Sequence, residues 1–123
     1  MIELIPDLPD NVVGIGASGQ VSADDYETVL VPAVESRLER NDKLRLLYRL
    51  GPDFKGFTTA AMWDDLKLGA AHWKAWERIA VVTDVEWIGN TARAFGFAMP
   101  CPVRIFPLSA IAQATDWLCK PVR

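Results

Sequence analysis

LRLLYRL (Leu44–Leu50) and IAVVTD (Ile79–Asp84) enclose the segment GPDFKGFTTAAMWDDLKLGAAHWKAWER (Gly51–Arg78). Both flanks read as buried strands, and Ile79–Thr83 is apolar on both faces, as a central parallel strand must be. A connection this long is a crossover rather than a hairpin. It carries five of the chain's twelve aromatic residues, its single histidine and a double aspartate next to a tryptophan. The spacing predicts a helix from Phe57 to about Leu68, capped by Thr58 or Thr59, then a break at Gly69 and a second helical piece from Ala70 to Glu77.

Outward from this crossover the elements alternate. Ile2–Ile5 and Val12–Ser18 read as strands joined by the turn cluster Pro6–Asn11, close enough for an antiparallel hairpin. Ser22 with Asp25 three residues on is a near capping box for a long helix to about Arg40, which Pro32 should bend. Gly51, Pro52 and Asp53 should end the third strand. Asp84 is placed to cap a helix from Val85 to Phe95, closed by Gly96. Val103–Phe106 is the last strand, and Ser109 caps a last helix to Cys119 with Ile111, Ala114, Thr115 and Leu118 inward. The expected fold is therefore a single α/β domain over residues 1–123. It has a single-layer, mostly parallel five-stranded sheet, an N-terminal hairpin and about four helices.

Composition narrows the function classes. A length of 123 residues suits one domain with a real core, and half of the residues are hydrophobic. A net charge of −3 and a pI near 5.1 speak against a nucleic-acid surface. Cys101 and Cys119 are too few for a disulfide framework and lack metal-ligand spacing. The acidic, proline-containing start is no signal peptide, and no apolar run reaches membrane-spanning length, so a cytoplasmic location is expected.

Gly14-Ile15-Gly16-Ala17-Ser18-Gly19 matches a dinucleotide fingerprint, but its helix starts too late and the next strand ends at Arg49-Leu50-Gly51 with no acid there to hold a ribose. The alternative is that Gly14 and Gly16 share a strand face against which a helix packs closely. The basic run Arg37, Arg40, Lys43, Arg45 and Arg49 reads as a solvated helix end or as an anionic-ligand patch.

Asp25-Tyr26 with Pro32, the F-x-G-F of Phe54–Phe57 and the W-x-D-L-K of Trp63–Lys67 form one set of motifs. Further along come the R-I-A-V-V-x-D-x-x-W of Arg78–Trp87, the P-V-R-I-F of Pro102–Phe106 and the terminal Trp117-Leu118. Together, in this order over nearly the whole chain, they resemble the SpoIIAA-like family of small bacterial proteins. The resemblance implies a fold of the STAS and CRAL-TRIO type. STAS domains act as anti-sigma-factor antagonists switched by phosphorylation in a D-S-x-G-like loop after the third strand. Here that place holds Gly51–Gly56 without serine or threonine, so the switch does not carry over. CRAL-TRIO domains bind lipids in an apolar pocket, and that analogy concerns the fold alone.

In open α/β sheets ligands bind beyond the strand carboxyl ends. Asp53, Phe54 and Phe57 after strand three, and Asp84 and Trp87 after strand four, are the candidate ligand-binding residues there. Trp63, Trp73 and Trp76 on the crossover would form a lid or an interfacial face, or would pack on the sheet. Asp64 and Asp65 point apart on a helix and His72 lacks a sequence partner, so no catalytic, metal or cofactor site is assigned. The expected function is non-enzymatic binding of a small apolar or lipid-like, anionic-headed ligand. The alternative is a STAS-type protein-interaction or regulatory module. Candidate partners are such a ligand, a peripheral membrane surface, a second copy of the chain or a regulatory protein, and no nucleic acid.

Overall fold

The computed structural model describes residues 1–58, 60, 75–96 and 101–120. Five strands form one sheet in sequential order: β1 (Ile2–Leu4), β2 (Val12–Val21), β3 (Leu44–Phe57), β4 (Trp76–Thr83) and β5 (Val103–Phe106). β1 runs antiparallel to β2, and every other pair is parallel. The mostly parallel α/β sheet with an N-terminal hairpin is thus the observed architecture. The described residues hold three helical segments, one fewer than expected, because the helices read at 57–68 and 70–77 lie largely outside the described residues.

Alternation along the strands builds two cores. Val13, Ile15, Tyr48, Leu50 and Val81 face one way, and Tyr26, Leu30, Ala33, Val34 and Ile88 from the helices cover them. Val12, Leu47, Ala80, Val82 and Phe106 face the other way, beneath Ala114 and Leu118. The 23–38 helix and α3 (Glu86–Gly96) therefore lie on one face of the sheet. The last helix, α4 (Ile111–Cys119), lies on the other.

The first helix begins as read: Ser22 accepts from the Asp25 amide, and the Asp25 carboxylate accepts from the Ser22 amide at 2.8 Å. After α1 (Ala23–Asp25) comes a π turn over Tyr26–Leu30, then α2 (Val31–Leu38). The Val31 N–H reaches back five residues to the Tyr26 carbonyl. Pro32 thus enters at the start of α2, where a missing N–H is tolerated.

β2 runs three residues past the expected Ser18, to Val21, and two other boundaries differ in ways that change an element's type or course. β3 does not stop at Leu50 but runs through Gly51–Pro52–Asp53 to Phe57, so Phe57 ends a strand and does not open a helix. Its pairing with β2 absorbs the turn residues as a bulge: Gly51, Pro52 and Asp53 lie between Leu50 and Phe54, whereas Ser18 alone lies between their partners Ala17 and Gly19. Pro52 is accommodated there because a bulge requires no ladder donor from it. Second, Trp76 starts β4 rather than ending a helix; it pairs with Leu44 and is 6% exposed. Burial of its ring against the amino end of the sheet overrides the helical spacing.

Candidate functional site

The G-x-G-x-x-G segment lies entirely within β2. Among the described residues no helix presses on Gly14 or Gly16. A β-carbon at Gly14 would fall 2.4 Å from Leu8 Cδ1, and one at Gly16 would fall 2.7 Å from Arg49 Nη2. Side chains from the hairpin loop and the neighbouring strand occupy that space.

The sheet face beneath α4 is unusually rich in arginine. Arg45 donates from Nε to Glu77 Oε1 at 2.7 Å, and from Nη1 to the Leu118 carbonyl and to the Lys120 carbonyl at 2.6 Å. Arg78 donates to the carbonyls of Trp117 and Lys120 at 2.7 and 2.8 Å. These carbonyls lie at the end of α4, where backbone donors run short and the negative end of the helix dipole falls; the Trp117 carbonyl also accepts from the Lys120 amide at 3.4 Å. Arg104 stacks over the rings of Phe106 and Trp117. The basic run is thus divided. Arg40 forms a two-pronged ion pair with Asp10, Arg37 caps the Ala33 carbonyl, and Arg45 is a buried helix clasp. Hydrogen bonds from Arg40 and then Asn41 lower the Asp10 carboxyl to a pKa of about 2.

At the carboxyl ends of β2 and β3 the bulge opens a concavity of about 350 Å³ on this same face. Its lining includes Glu3, Gly16, Ser18, Arg49, Asp53 and Leu108. Of the expected site residues, Asp53 is in this wall. Asp84 is nearby but engaged: its Oδ1 accepts from the Leu108 amide at 3.0 Å, while Thr83 Oγ1 takes the Val85 amide at 3.1 Å. Asp84 therefore joins two loops, and Thr83 serves the start of α3. Likewise Ser109 falls inside a 3₁₀ turn, Leu108–Ala110, and the residue before α4 is Ala110, without a side-chain cap.

Phe54 and Trp87 meet on the opposite face. Their rings stack at 6.4 Å and 30°, with Phe54 buried in the core and Trp87 55% exposed. The backbone of Phe57 ends β3. Trp63, Trp73, His72 and the Asp64–Asp65 pair lie outside the described residues. Trp76 sits at the amino end of the sheet, remote from the carboxyl-end residues. The candidate site is therefore split: an aromatic platform (Phe54, Trp87) on one face and a charged concavity with Asp53 on the other. Sequence reasoning missed Gly16 and Arg49 as a unit; the signal was present in the glycine pair, but the neighbour was not known before the register was.

Among the described residues no group of three or more metal-ligating side chains comes together, and no helix is long and apolar enough to cross a membrane. Both cysteines are free, and burial pushes the Cys101 thiol up, away from a reactive thiolate.

A sequential, mostly parallel sheet with an antiparallel first strand and helices on both faces defines a small α/β module of the SpoIIAA type. The SpoIIAA-like family model matches residues 12–119, and the chain belongs to that family. It is similar to a crystal structure of an uncharacterised protein of the DUF3478 family with a SpoIIAA-like fold from Shewanella loihica PV-4. The identity is 27%, the TM-score 0.73, and the match covers 97% of this chain and 93% of that one. No curated protein matches. Family and fold support a regulatory or interaction module.

Proposed function

We propose that this module acts by binding through the carboxyl-end rim of its sheet, with a protein partner docking on the Trp87 platform. The observation that carries this reading is the Phe54–Trp87 stack: a buried ring fixes the orientation of a tryptophan that stays 55% exposed on the first turns of α3. A rigid, half-buried aromatic is the kind of anchor that dominates protein interfaces. Asp84, three residues before Trp87, is committed to holding the Leu108 loop, which makes the rim a firm surface.

A second reading keeps a small apolar or lipid-like ligand against Phe54 and Trp87, with Phe57, Trp63 and Trp73 as further contacts. The same stack supports it, since Trp87 is 55% exposed beside a buried ring. The test is affinity capture from a lysate of the producing organism with the wild-type chain and Trp87→Asp, followed by native mass spectrometry of the purified wild type. A stoichiometric partner retained by the wild type and lost in the variant, then reconstituted from pure components, supports docking. A retained small molecule and no protein supports the ligand reading. A dimer or vesicle-bound chain that Trp87→Asp releases replaces both with self-association or peripheral membrane contact. If the variant behaves as the wild type in every arm, the platform is not the working surface.

A further inference from the structure

We infer that the concavity beside the β3 bulge is a binding site for a small carboxylate that also carries hydrogen-bond donors, such as an amino acid or hydroxy acid. Two glycines clear space for its charged groups. Gly16 lies under the Arg49 guanidinium, 2.7 Å from where a β-carbon would stand. Gly51 lies under the Asp53 carboxylate, with Oδ1 3.0 Å from the corresponding position. The neighbouring arginines on this face are committed to carbonyls or rings, whereas among the described residues Arg49 has no hydrogen-bond or ion-pair partner. Its fork is available for two-pronged recognition of a carboxylate.

The charge of the lining selects the ligand further. One guanidinium faces two carboxylates, Glu3 and Asp53, with the Ser18 hydroxyl between the strands. A phosphate dianion would meet two like charges for each opposite one. A monoanion with an ammonium or hydroxyl group would give Arg49 its anion and Glu3 or Asp53 its donor. The volume of about 350 Å³ suits a small molecule. The Leu108 amide is already taken by Asp84, so the anion depends on Arg49. This site is on the other sheet face from Trp87 and is independent of the platform.

The test is a two-dimensional ¹H–¹⁵N titration of the full chain with glycine, lactate, acetate and inorganic phosphate at constant ionic strength. Glycine and lactate should give saturable shifts at the amides of Gly16, Ala17, Ser18, Gly51 and Asp53. Acetate and phosphate should bind roughly tenfold more weakly or worse. Arg49→Gln, an exposed position whose folding the same spectra report, should abolish saturation. Asp53→Ala should weaken glycine several-fold. The inference is overturned by no saturation with any probe, by phosphate or acetate binding as tightly as glycine, or by shifts that persist in Arg49→Gln.

Discussion

Replacing Arg45 with methionine tests how the last helix is fastened to the sheet. Methionine keeps most of the aliphatic stem and its packing, and removes only the guanidinium. Three acceptors then lose a donor: the Glu77 carboxylate and the carbonyls of Leu118 and Lys120. Arg45 is 6% exposed and the Glu77 side chain 24%, so water re-solvates Glu77 in part and the Leu118 carbonyl poorly. Removing one partner of a buried, hydrogen-bonded pair costs about 3–5 kcal/mol, and the partial exposure of Glu77 favours the lower end, about 3 kcal/mol. With a urea m-value of about 2 kcal/mol/M, the midpoint should fall by roughly 1.5 M. Equilibrium unfolding followed by tryptophan fluorescence reads this directly. Glu77→Gln, which spares the two carbonyl bonds, should cost only about 1 kcal/mol. The double variant Arg45→Met/Glu77→Leu should recover part of the loss, because apolar replacement of a whole buried pair is often near neutral. A loss below about 1 kcal/mol for Arg45→Met, or one equal to that of Glu77→Gln, would refute the clasp.

Other expectations follow from single contacts. The Asp10 carboxyl, held by Arg40 and Asn41, should titrate near 2 by NMR, and Arg40→Gln should move it back toward 3.8. Its folded-state value is depressed, so the pair's contribution is complete above about pH 3.8 and fades as the pH falls toward 2. Ser22→Ala removes the hydroxyl half of the capping box, the acceptor for the Asp25 amide, and leaves the backbone bond to the Asp25 carboxylate; it should cost about 1 kcal/mol, read as a lower thermal midpoint. Asp84→Ala should free the Leu108 amide, seen as faster hydrogen exchange at that residue, with a stability loss of about 1 kcal/mol or less.

The sheet was legible in the sequence because its evidence is local. Val103–Phe106 and the Ser22–Asp25 cap agree with the reading, and the hairpin and the order of elements followed from short loops and alternation. The boundaries that moved were those where one signal stood for two structures. Gly51-Pro52-Asp53 has the composition of a turn, yet the strand passes through it as a bulge, where glycine and proline are equally at home. Trp76 fits a helical spacing with Trp73, yet pairing with Leu44 buries it in a strand. Arginine roles were illegible for a different reason. Arg45 bonds Leu118 and Arg78 bonds Trp117, partners far along the chain, and no local pattern announces a guanidinium over a helix end.

Arg45 and Arg49 show how register converts similar residues into opposite roles. They lie four residues apart on β3, on one face, and α4 spans the distance between them. At the amino end of the strands the helix presents its terminal carbonyls, and an arginine there is consumed by them. At the carboxyl end the chain enters the helix through Leu108, whose amide already has an acceptor in Asp84. An arginine at that end lies beside the start of the helix rather than its terminal carbonyls, and among the described residues Arg49 has no hydrogen-bond or ion-pair partner. The bulge then withdraws β3 from β2 beside it, and Gly16 lets the guanidinium lie flat on the sheet. A cation held in this way, next to a cavity and away from carbonyls, is available to something outside the chain. The direction of α4 relative to the strands therefore determines which arginine is structural and which can bind.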